Sequence, residues 1–187
     1  MTHPSKRREQ PLEILAVGHS THSIEDFIAL LAAHRVQQLV DVRTIPRSRH
    51  NPQFAAEQLS QSLQQAGIGY QHMRALGGLR RARRDSTNTA WRNASFRGYA
   101  DYMQTAEFSE AIEHLIDIAR QRRTAIMCAE AVPWRCHRSL IADALLARGV
   151  HVAEIASPTV ERPHALTPWA HVEGTRVTYP GNPEPDG

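Results

Sequence analysis

Short apolar segments alternate with segments of helical periodicity along this chain, and this alternation limits its fold more than any other feature. The five apolar segments, each predicted to be a strand, are residues 13–17, 38–43, 68–73, 124–128 and 150–155. Strands that alternate with helices form right-handed crossovers, which make the strands parallel and cover the sheet with helices. The sequence therefore predicts a three-layer α/β fold. Its mostly parallel, five-stranded, Rossmann-like sheet has the order 3-2-1-4-5 and helices on both faces.

Length and composition predict one domain with a flanking segment at each end. Residues 1–11 are predicted to be disordered, because they carry charges and two prolines and little that a core could bury. Residues 12–156 are predicted to form a single α/β domain, and residues 157–187 a Pro-rich C-terminal tail. No apolar run approaches the roughly 18 residues that span a bilayer, and two cysteines are too few for a disulfide scaffold. We therefore expect a cytoplasmic protein with reduced thiols and no membrane partner.

Residues 125–139 hold the most reactive group of side chains in the sequence. An apolar run ends at Cys128, Glu130 follows it, and a short loop leads to Cys136 and His137 at the predicted start of a helix. A helix N-terminus and neighbouring basic side chains both lower the pKa of a thiol, so Cys136 is a candidate nucleophile. Cys128 is either a second reactive thiol or a small core residue. A separation of eight positions also allows a reversible Cys128–Cys136 disulfide, which would make the pair a redox sensor.

Polar residues follow three of the predicted strands, at ends that this fold brings to one edge of the sheet. Gly18-His19-Ser20 follows strand one, Asp41-Val42-Arg43 ends strand two and Cys128 ends strand four. The crevice between strands one and four is therefore the predicted site for an anionic or nucleotide-like small molecule. The candidate catalytic residues are Glu130 as acid/base, Cys136 and Cys128 as nucleophiles, Asp41 and His19; the candidate ligand-binding residues are Ser20, Arg43, Arg97, Tyr99, His137, Arg138 and Ser139.

Several of these residues also have purely structural interpretations. Burial would raise the pKa of Glu130 and suit it to acid/base catalysis, but the same carboxylate could pair with Arg138 or Arg43. Asp41 and Arg43 are two positions apart on one strand face, so they form either a fixed ion pair or part of an anion site. His19 follows a glycine in a tight turn, where hydrogen bonding to the backbone would be a sufficient role.

An arginine-rich segment indicates a different class of function. The chain has a formal net charge of +3 and a pI near 9.2, and residues 74–97 contain seven arginines against one acidic residue. Basic side chains interleaved with aromatic rings are typical of nucleic-acid binding. The residues that would bind nucleic acid are Arg80, Arg81, Arg83, Arg84 and Trp91. A solvated, mobile loop is the plainer interpretation of the same segment.

Several short blocks together resemble a bacterial family, the domain of unknown function 488. The blocks are Gly18-His19-Ser20, Val40-Asp41-Val42-Arg43 with Pro46, Asn51-Pro52-Gln53-Phe54, Leu76-Gly77-Gly78, Phe96-Arg97-Gly98-Tyr99, Cys128-Ala129-Glu130 and Cys136-His137-Arg138-Ser139. They extend over roughly residues 14–155. The resemblance implies a fold and a site at these blocks, and it implies no particular reaction.

The sequence leaves three hypotheses for function open. The first is an enzyme acting on an anionic or nucleotide-like molecule; the second is a nucleic-acid-binding module; the third is a thiol redox sensor. No cofactor is assigned, and no metal site is predicted, because neither cysteine belongs to a C-x-x-C pair. A phosphatase-like or rhodanese-like anion loop fits poorly, because ten positions separate Cys128 from Arg138 and such loops are shorter.

Overall fold

A six-stranded sheet lies at the centre of the structure, a computed structural model that describes residues 10–182. The strands are β1 (Glu13–Gly18), β2 (Gln38–Asp41), β3 (Gly69–His72), β4 (Thr124–Cys128), β5 (His151–Ser157) and β6 (Val160–Pro163). The first five are parallel to their neighbours, and β6 is antiparallel to β5. The predicted α/β class and mostly parallel sheet are confirmed, and the predicted strand count of five is corrected to six. Of residues 1–11, which were predicted to be disordered, residues 1–9 lie outside the described residues, and Gln10 and Pro11 lead into β1 without regular secondary structure.

The strand order differs from the predicted 3-2-1-4-5. The observed order is β3-β2-β4-β1-β5-β6, so β4 lies between β2 and β1. Ala125 of β4 pairs with Leu39 on one side and with Leu15 on the other. Every residue of β4 is buried, which suits a central position in a parallel sheet. The chain therefore passes across β4 on its way from β1 to β2.

Five α-helices within the described residues cover the sheet, and a side chain caps the N-terminus of three of them. They are α1 (Ile24–Ala33), α2 (Ala56–Gln65), α3 (Ala94–Tyr102), α4 (Ala106–Gln121) and α5 (Arg138–Leu146). The predicted caps of α1 and α4 are confirmed: the hydroxyl of Ser23 accepts from Asp26 N at 3.1 Å, and that of Thr105 accepts from Phe108 N at 3.2 Å. Each cap satisfies a backbone N–H that would otherwise lack a partner at the helix start.

Alternate residues of the strands enter two separate hydrophobic clusters. Ile14, Ala16, Val42 and Cys128 belong to the cluster that contains residues of α3, α4 and α5. Leu15, Val17, Leu39 and Met127 belong to the cluster that contains residues of α1 and α2. Successive side chains of a strand point to opposite faces, so the two clusters lie on opposite faces of the sheet.

The chain after residue 156, where the sequence suggested a Pro-rich tail, continues the fold as far as it is described. It adds β6 to the edge of the sheet and then a hairpin of β7 (His171–Glu173) and β8 (Arg176–Thr178). Asp143 of α5 holds this segment: its carboxylate accepts hydrogen bonds from the Tyr179 hydroxyl at 2.7 Å and from His164 Nε2 at 2.8 Å. None of the helices within residues 10–182 combines the length and the apolar character that crossing a membrane requires.

Candidate functional site

The two cysteines meet at the carboxyl end of the central strand β4. Cys128 is the last residue of that strand, and Cys136 lies two residues before α5. The intervening loop, which contains a 3₁₀ turn over Pro133–Arg135, folds back so that the two Sγ atoms are 2.6 Å apart. Both residues are buried and both are free thiols. The structure thus brings together the two sulfurs that the sequence separates by eight positions.

His137 is oriented toward Cys136 by the backbone carbonyl oxygen of Val42, just after β2. Its Nε2 atom lies 2.9 Å from the carbonyl oxygen of Val42, and its Nδ1 atom lies 3.6 Å from the sulfur of Cys136. A carbonyl oxygen only accepts, so Nε2 carries a proton. Nδ1 is then placed to take the thiol proton or, once protonated, to donate to the thiolate. The Cys136 sulfur, the His137 imidazole and the Val42 carbonyl oxygen therefore form a chain of nucleophile, base and orienting group, which is the arrangement found at activated thiols.

The environment separates the acidities of the two thiols. The pKa of Cys136 is lowered to about 4, because the Cys128 thiol donates a hydrogen bond to its thiolate and because His137 and Arg138 lie beside it. The same hydrogen bond, together with burial, raises the pKa of Cys128 well above its ordinary value. The backbone N–H of Arg138 also points at the Cys136 sulfur, 3.5 Å away. One proton is therefore shared by the pair, and the negative charge belongs on Cys136.

A cavity of about 370 Å³, here called the thiol cavity, opens beside the cysteines. Its lining combines both cysteines with arginines, aromatic rings and exposed apolar side chains; among them are Arg43, Ile45, Arg47, Leu79, Phe96, Tyr99, Cys128, Glu130, Arg135, Cys136 and His137. Tyr99 is buried and donates its hydroxyl to the carbonyl oxygen of Leu76, so its ring forms a fixed wall. Its ring centroid lies 5.1 Å from that of His137.

Glu130, the predicted acid/base, lies in a different environment from the one expected. Its side chain is exposed, and its Oε1 atom accepts a hydrogen bond from the N–H of Val132 at 3.1 Å. The burial that the prediction assumed is therefore absent. The observed contact closes the turn after β4, which is a structural role for this carboxylate.

Asp41 and His19, two further catalytic candidates, lie on the other face of the sheet from the thiols. Asp41 pairs in register with Met127, so its side chain shares the face of Met127 and not that of Cys128. It binds the buried guanidinium of Arg43, with Nη2–Oδ2 and Nε–Oδ1 distances of 2.6 and 2.9 Å. Of this ion pair only Arg43 lines the thiol cavity. The predicted convergence of all three strand ends on one site is corrected in this respect.

The turn after β1 packs against Phe54, in the 3₁₀ turn Pro52–Phe54 that precedes α2, and the backbone N–H of His19 donates to the carbonyl oxygen of Cys128 at 2.9 Å. His19 is buried and stacks on Phe54 with ring centroids 4.2 Å apart, and its Nδ1 atom donates to the carbonyl oxygen of Ser20 at 2.9 Å. Burial, with a contribution from the nearby Arg43, lowers the pKa of His19. Ser20 has a positive φ of 46°, which a tight turn imposes. These contacts favour the turn interpretation of both residues.

Arg138 and Ser139 line a second and larger cavity of about 790 Å³, here called the arginine cavity. It lies between β1, α1, the start of α5 and the end of β5. Sequence reasoning missed its main acidic residue, Glu154 of β5, whose Oε1 atom is 3.0 Å from Arg138 Nη2. Burial, opposed by the charge of Arg138, raises the pKa of Glu154 to about 7. A charged residue within the apolar pattern of strand five was the available signal.

The arginine-rich segment is held in place by its own contacts. Asp101 of α3 accepts from Arg83 N, from the Ser86 hydroxyl and from the Asn88 amide. Among the residues proposed for nucleic-acid binding, the guanidinium of Arg80 lies 3.6 Å above the ring of Tyr102. Arg83 pairs with Asp85, while Arg81 and Arg84 are exposed. Trp91 stacks on Phe96 at 4.9 Å and packs edge-on against Trp169 and Tyr179, and its carbonyl oxygen accepts from Arg97. Its ring is therefore a packing element.

Within residues 10–182, no group of three or more His, Cys, Asp or Glu side chains has the arrangement of a metal site.

Comparisons with known proteins identify the family. No curated protein and no solved structure matches the chain. A family model described as Domain of unknown function DUF488 matches residues 23–145, which is more than half of the sequence and includes both cysteines and His137. The chain therefore belongs to the DUF488 family.

Proposed function

We propose that this protein is a thiol–disulfide oxidoreductase in which Cys136 is the attacking thiol and Cys128 the resolving thiol. The observation that carries the proposal is the contact of the two sulfurs at 2.6 Å beside an oriented imidazole. A resolving thiol must reach the sulfur of its partner without large movement of the backbone. The asymmetric acidity of the pair supports the same assignment, because the thiolate is the nucleophile.

The reaction uses a disulfide as its oxidant and needs no further component. The Cys136 thiolate attacks one sulfur of the substrate disulfide, which forms a mixed disulfide and releases the other half as a thiolate. The Cys128 thiol then loses its proton to solvent or to His137 and attacks the Cys136 sulfur. The protein disulfide forms, and the second half of the substrate leaves as a thiolate. Two electrons pass from the cysteines to the substrate, and the reverse sequence reduces the protein.

The thiol cavity indicates which disulfides would be favoured. Arg47 and Arg135 are exposed on its rim, and Ile45 and Leu79 expose 60% and 78% of their surface there. Positive charge beside an exposed apolar surface attracts an anionic substrate and retains its apolar part. A negatively charged small disulfide, or an acidic peptide segment, is therefore the expected partner class.

The other two hypotheses have less support from the geometry. An enzyme that depends on Glu130 as acid/base needs that carboxylate near the reacting atoms and shielded from water, whereas it is exposed and caps a turn. A nucleic-acid module that stacks bases on Trp91 needs a free ring face, whereas this ring packs against three others. We infer that the preference for an anionic partner concerns the disulfide substrate of the thiol reaction and not a nucleic acid.

Reaction with glutathione disulfide tests the assignment of the two thiols. The reduced protein is mixed with the probe and the products are identified by intact mass; the only two cysteines account for every change. We expect the wild type to lose two hydrogen atoms and to retain no glutathione. We expect Cys128→Ser to accumulate one glutathione on Cys136, because the resolving thiol is missing, and Cys136→Ser to stay largely unmodified.

Cystamine, a cationic disulfide of similar reactivity, is the control for the role of charge. The rim arginines should make the reaction with glutathione disulfide the faster one at low salt, by several-fold, and added salt should remove the difference. A stable glutathione adduct on the wild type, or modification of Cys128 in Cys136→Ser at the rate of the wild type, would contradict the assigned roles.

A further inference from the structure

The arginine cavity contains a buried cation whose hydrogen-bonding capacity is unused. Arg138 exposes 1% of its surface, and within the described residues none of its three guanidinium nitrogens donates a hydrogen bond. Glu154 provides charge at 3.0 Å, but without the alignment of a hydrogen bond. Unsatisfied buried donors are costly, and they concentrate where a ligand completes the site. The cavity beside this guanidinium therefore has the character of a binding site.

The shape and lining of the cavity define the ligand further. Its volume of about 790 Å³ lies within the range of small-molecule sites. Apolar side chains from β1, α1, α5 and β5 line most of it, including Val17, Leu30, Ala142 and Val152. Trp134, in the loop before α5, exposes 71% of its surface and also lines the cavity. An exposed tryptophan beside an apolar cavity offers a stacking surface for a flat ring.

The charges favour a singly charged acid over a phosphate. Arg138 is buried, whereas Arg162, which also lines the cavity, is exposed, and Asp26 and Glu154 add negative charge to the same lining. The imidazole of His164 is already bound to Asp143 at 2.8 Å. A phosphate dianion requires several donors, while one guanidinium matches one carboxylate in a bidentate geometry.

We propose that the arginine cavity binds an organic acid with a planar apolar body, with its carboxylate against Arg138 and Glu154 and its ring against Trp134. In this arrangement the protonated form of Glu154 donates to the ligand carboxylate, and Arg138 supplies the balancing charge. The site is separate from the thiol cavity and does not depend on the proposed oxidoreductase function. Consecutive residues of one segment line the two cavities: Cys136 and His137 line the thiol cavity, and Arg138 and Ser139 line the arginine cavity.

Calorimetric titration with three acids and their neutral amides tests this site. The probes are benzoate, 1-naphthoate and indole-3-acetate, each compared with the corresponding carboxamide, in reducing buffer so that the state of the thiols is constant. We expect at least one acid to bind saturably, and its amide to bind at least tenfold more weakly. Trp134→Ala, a change at an exposed position that leaves the core intact, should weaken binding by about three- to tenfold.

Variants of the buried pair test the placement of the carboxylate. Arg138→Lys keeps the charge and loses the planar fork, so it should reduce the preference for acid over amide without abolishing it. The acid should bind up to about tenfold more tightly at pH 6 than at pH 8, because Glu154 is protonated at the lower pH. His22 and His164 also line the cavity, so Glu154→Gln is the deciding control and should remove this pH dependence.

Three results would overturn the proposal. The first is the absence of saturable binding by every acid at concentrations up to about 10 mM. The second is equal affinity for acids and amides in the wild type. The third is an unchanged affinity in Trp134→Ala, which remains informative even where Arg138→Lys fails to fold.

Discussion

Replacement of Asp41 by alanine is expected to lower the free energy of unfolding by about 3–5 kcal/mol, a large share of the stability of a domain this size. Asp41 is fully buried and accepts hydrogen bonds from Arg43 Nη2 at 2.6 Å, from Arg43 Nε at 2.9 Å and from the Tyr70 hydroxyl at 2.7 Å. Its removal leaves the guanidinium of Arg43, which is itself only 6% exposed, without its charge partner. The cost is that of an uncompensated buried charge and exceeds the net contribution of the pair.

Urea unfolding followed by tryptophan fluorescence measures this effect. The double variant Asp41→Ala/Arg43→Met should recover much of the lost stability, because it leaves no buried charge without its partner. The exposed pair of Arg83 and Asp85 is the matched control, and Asp85→Ala should leave the unfolding curve unchanged within error. A loss below about 1 kcal/mol in Asp41→Ala, or a double variant less stable than the single one, would show that water compensates Arg43.

Features encoded in local sequence were predicted correctly. The apolar run that ends at Cys128 lies in a strand, and the hydroxyls of Ser23 and Thr105 cap the N-termini of α1 and α4. The turn between Cys128 and Cys136 is short, so the chain itself limits how far apart the thiols can lie. These features depend on residues within a few positions of one another, which is why one sequence sufficed to predict them.

The strand order could not be predicted, because its determinant is global. A right-handed crossover from β1 to β2 is compatible with zero or one intervening strand, and no local residue distinguishes the two. The same ambiguity extends to the faces of the sheet. Asp41 and Cys128 were each predicted correctly at a strand end, but only the register of Asp41 with Met127 shows that their side chains diverge.

The electrostatic partners of the site were hidden for a similar reason. Glu154 stands out in the sequence as a charged residue in an apolar strand, but its partner Arg138, 3.0 Å away, comes from a different element. The proton position on His137 depends on the carbonyl oxygen of Val42, and a backbone group leaves no trace in a sequence. Prolines at positions 158, 163, 168 and 180 interrupt the strand formers of residues 157–182, and the order of this segment depends on tertiary bonds such as that from Tyr179 to Asp143.

The rate of Cys136 alkylation by iodoacetamide is expected to change by less than about twofold between pH 8 and pH 5. An ordinary thiol, with a pKa near 8.5, loses about a thousandfold over the same interval, because its thiolate fraction falls with each unit of pH. The pKa of Cys136 is about 4, so its thiolate is nearly complete throughout. The absolute rate at pH 8 is nonetheless expected to be modest, since nucleophilicity falls as the pKa falls and the sulfur is buried.

The hydrogen bond from Cys128 is the largest cause of this low pKa, and two variants isolate it. Cys128→Ala removes the donor, so the pKa of Cys136 must rise and the pH profile must recover part of its ordinary steepness. Cys128→Ser retains a hydroxyl donor of similar size, so its profile should lie between those of the wild type and Cys128→Ala. Identical profiles for wild type and Cys128→Ala would assign the acidity to His137 and Arg138 instead. A wild-type rate that falls a thousandfold between pH 8 and pH 5 would show that Cys136 is not ionised over this interval. It would contradict the assignment of Cys136 as the attacking thiol and Cys128 as the resolving thiol.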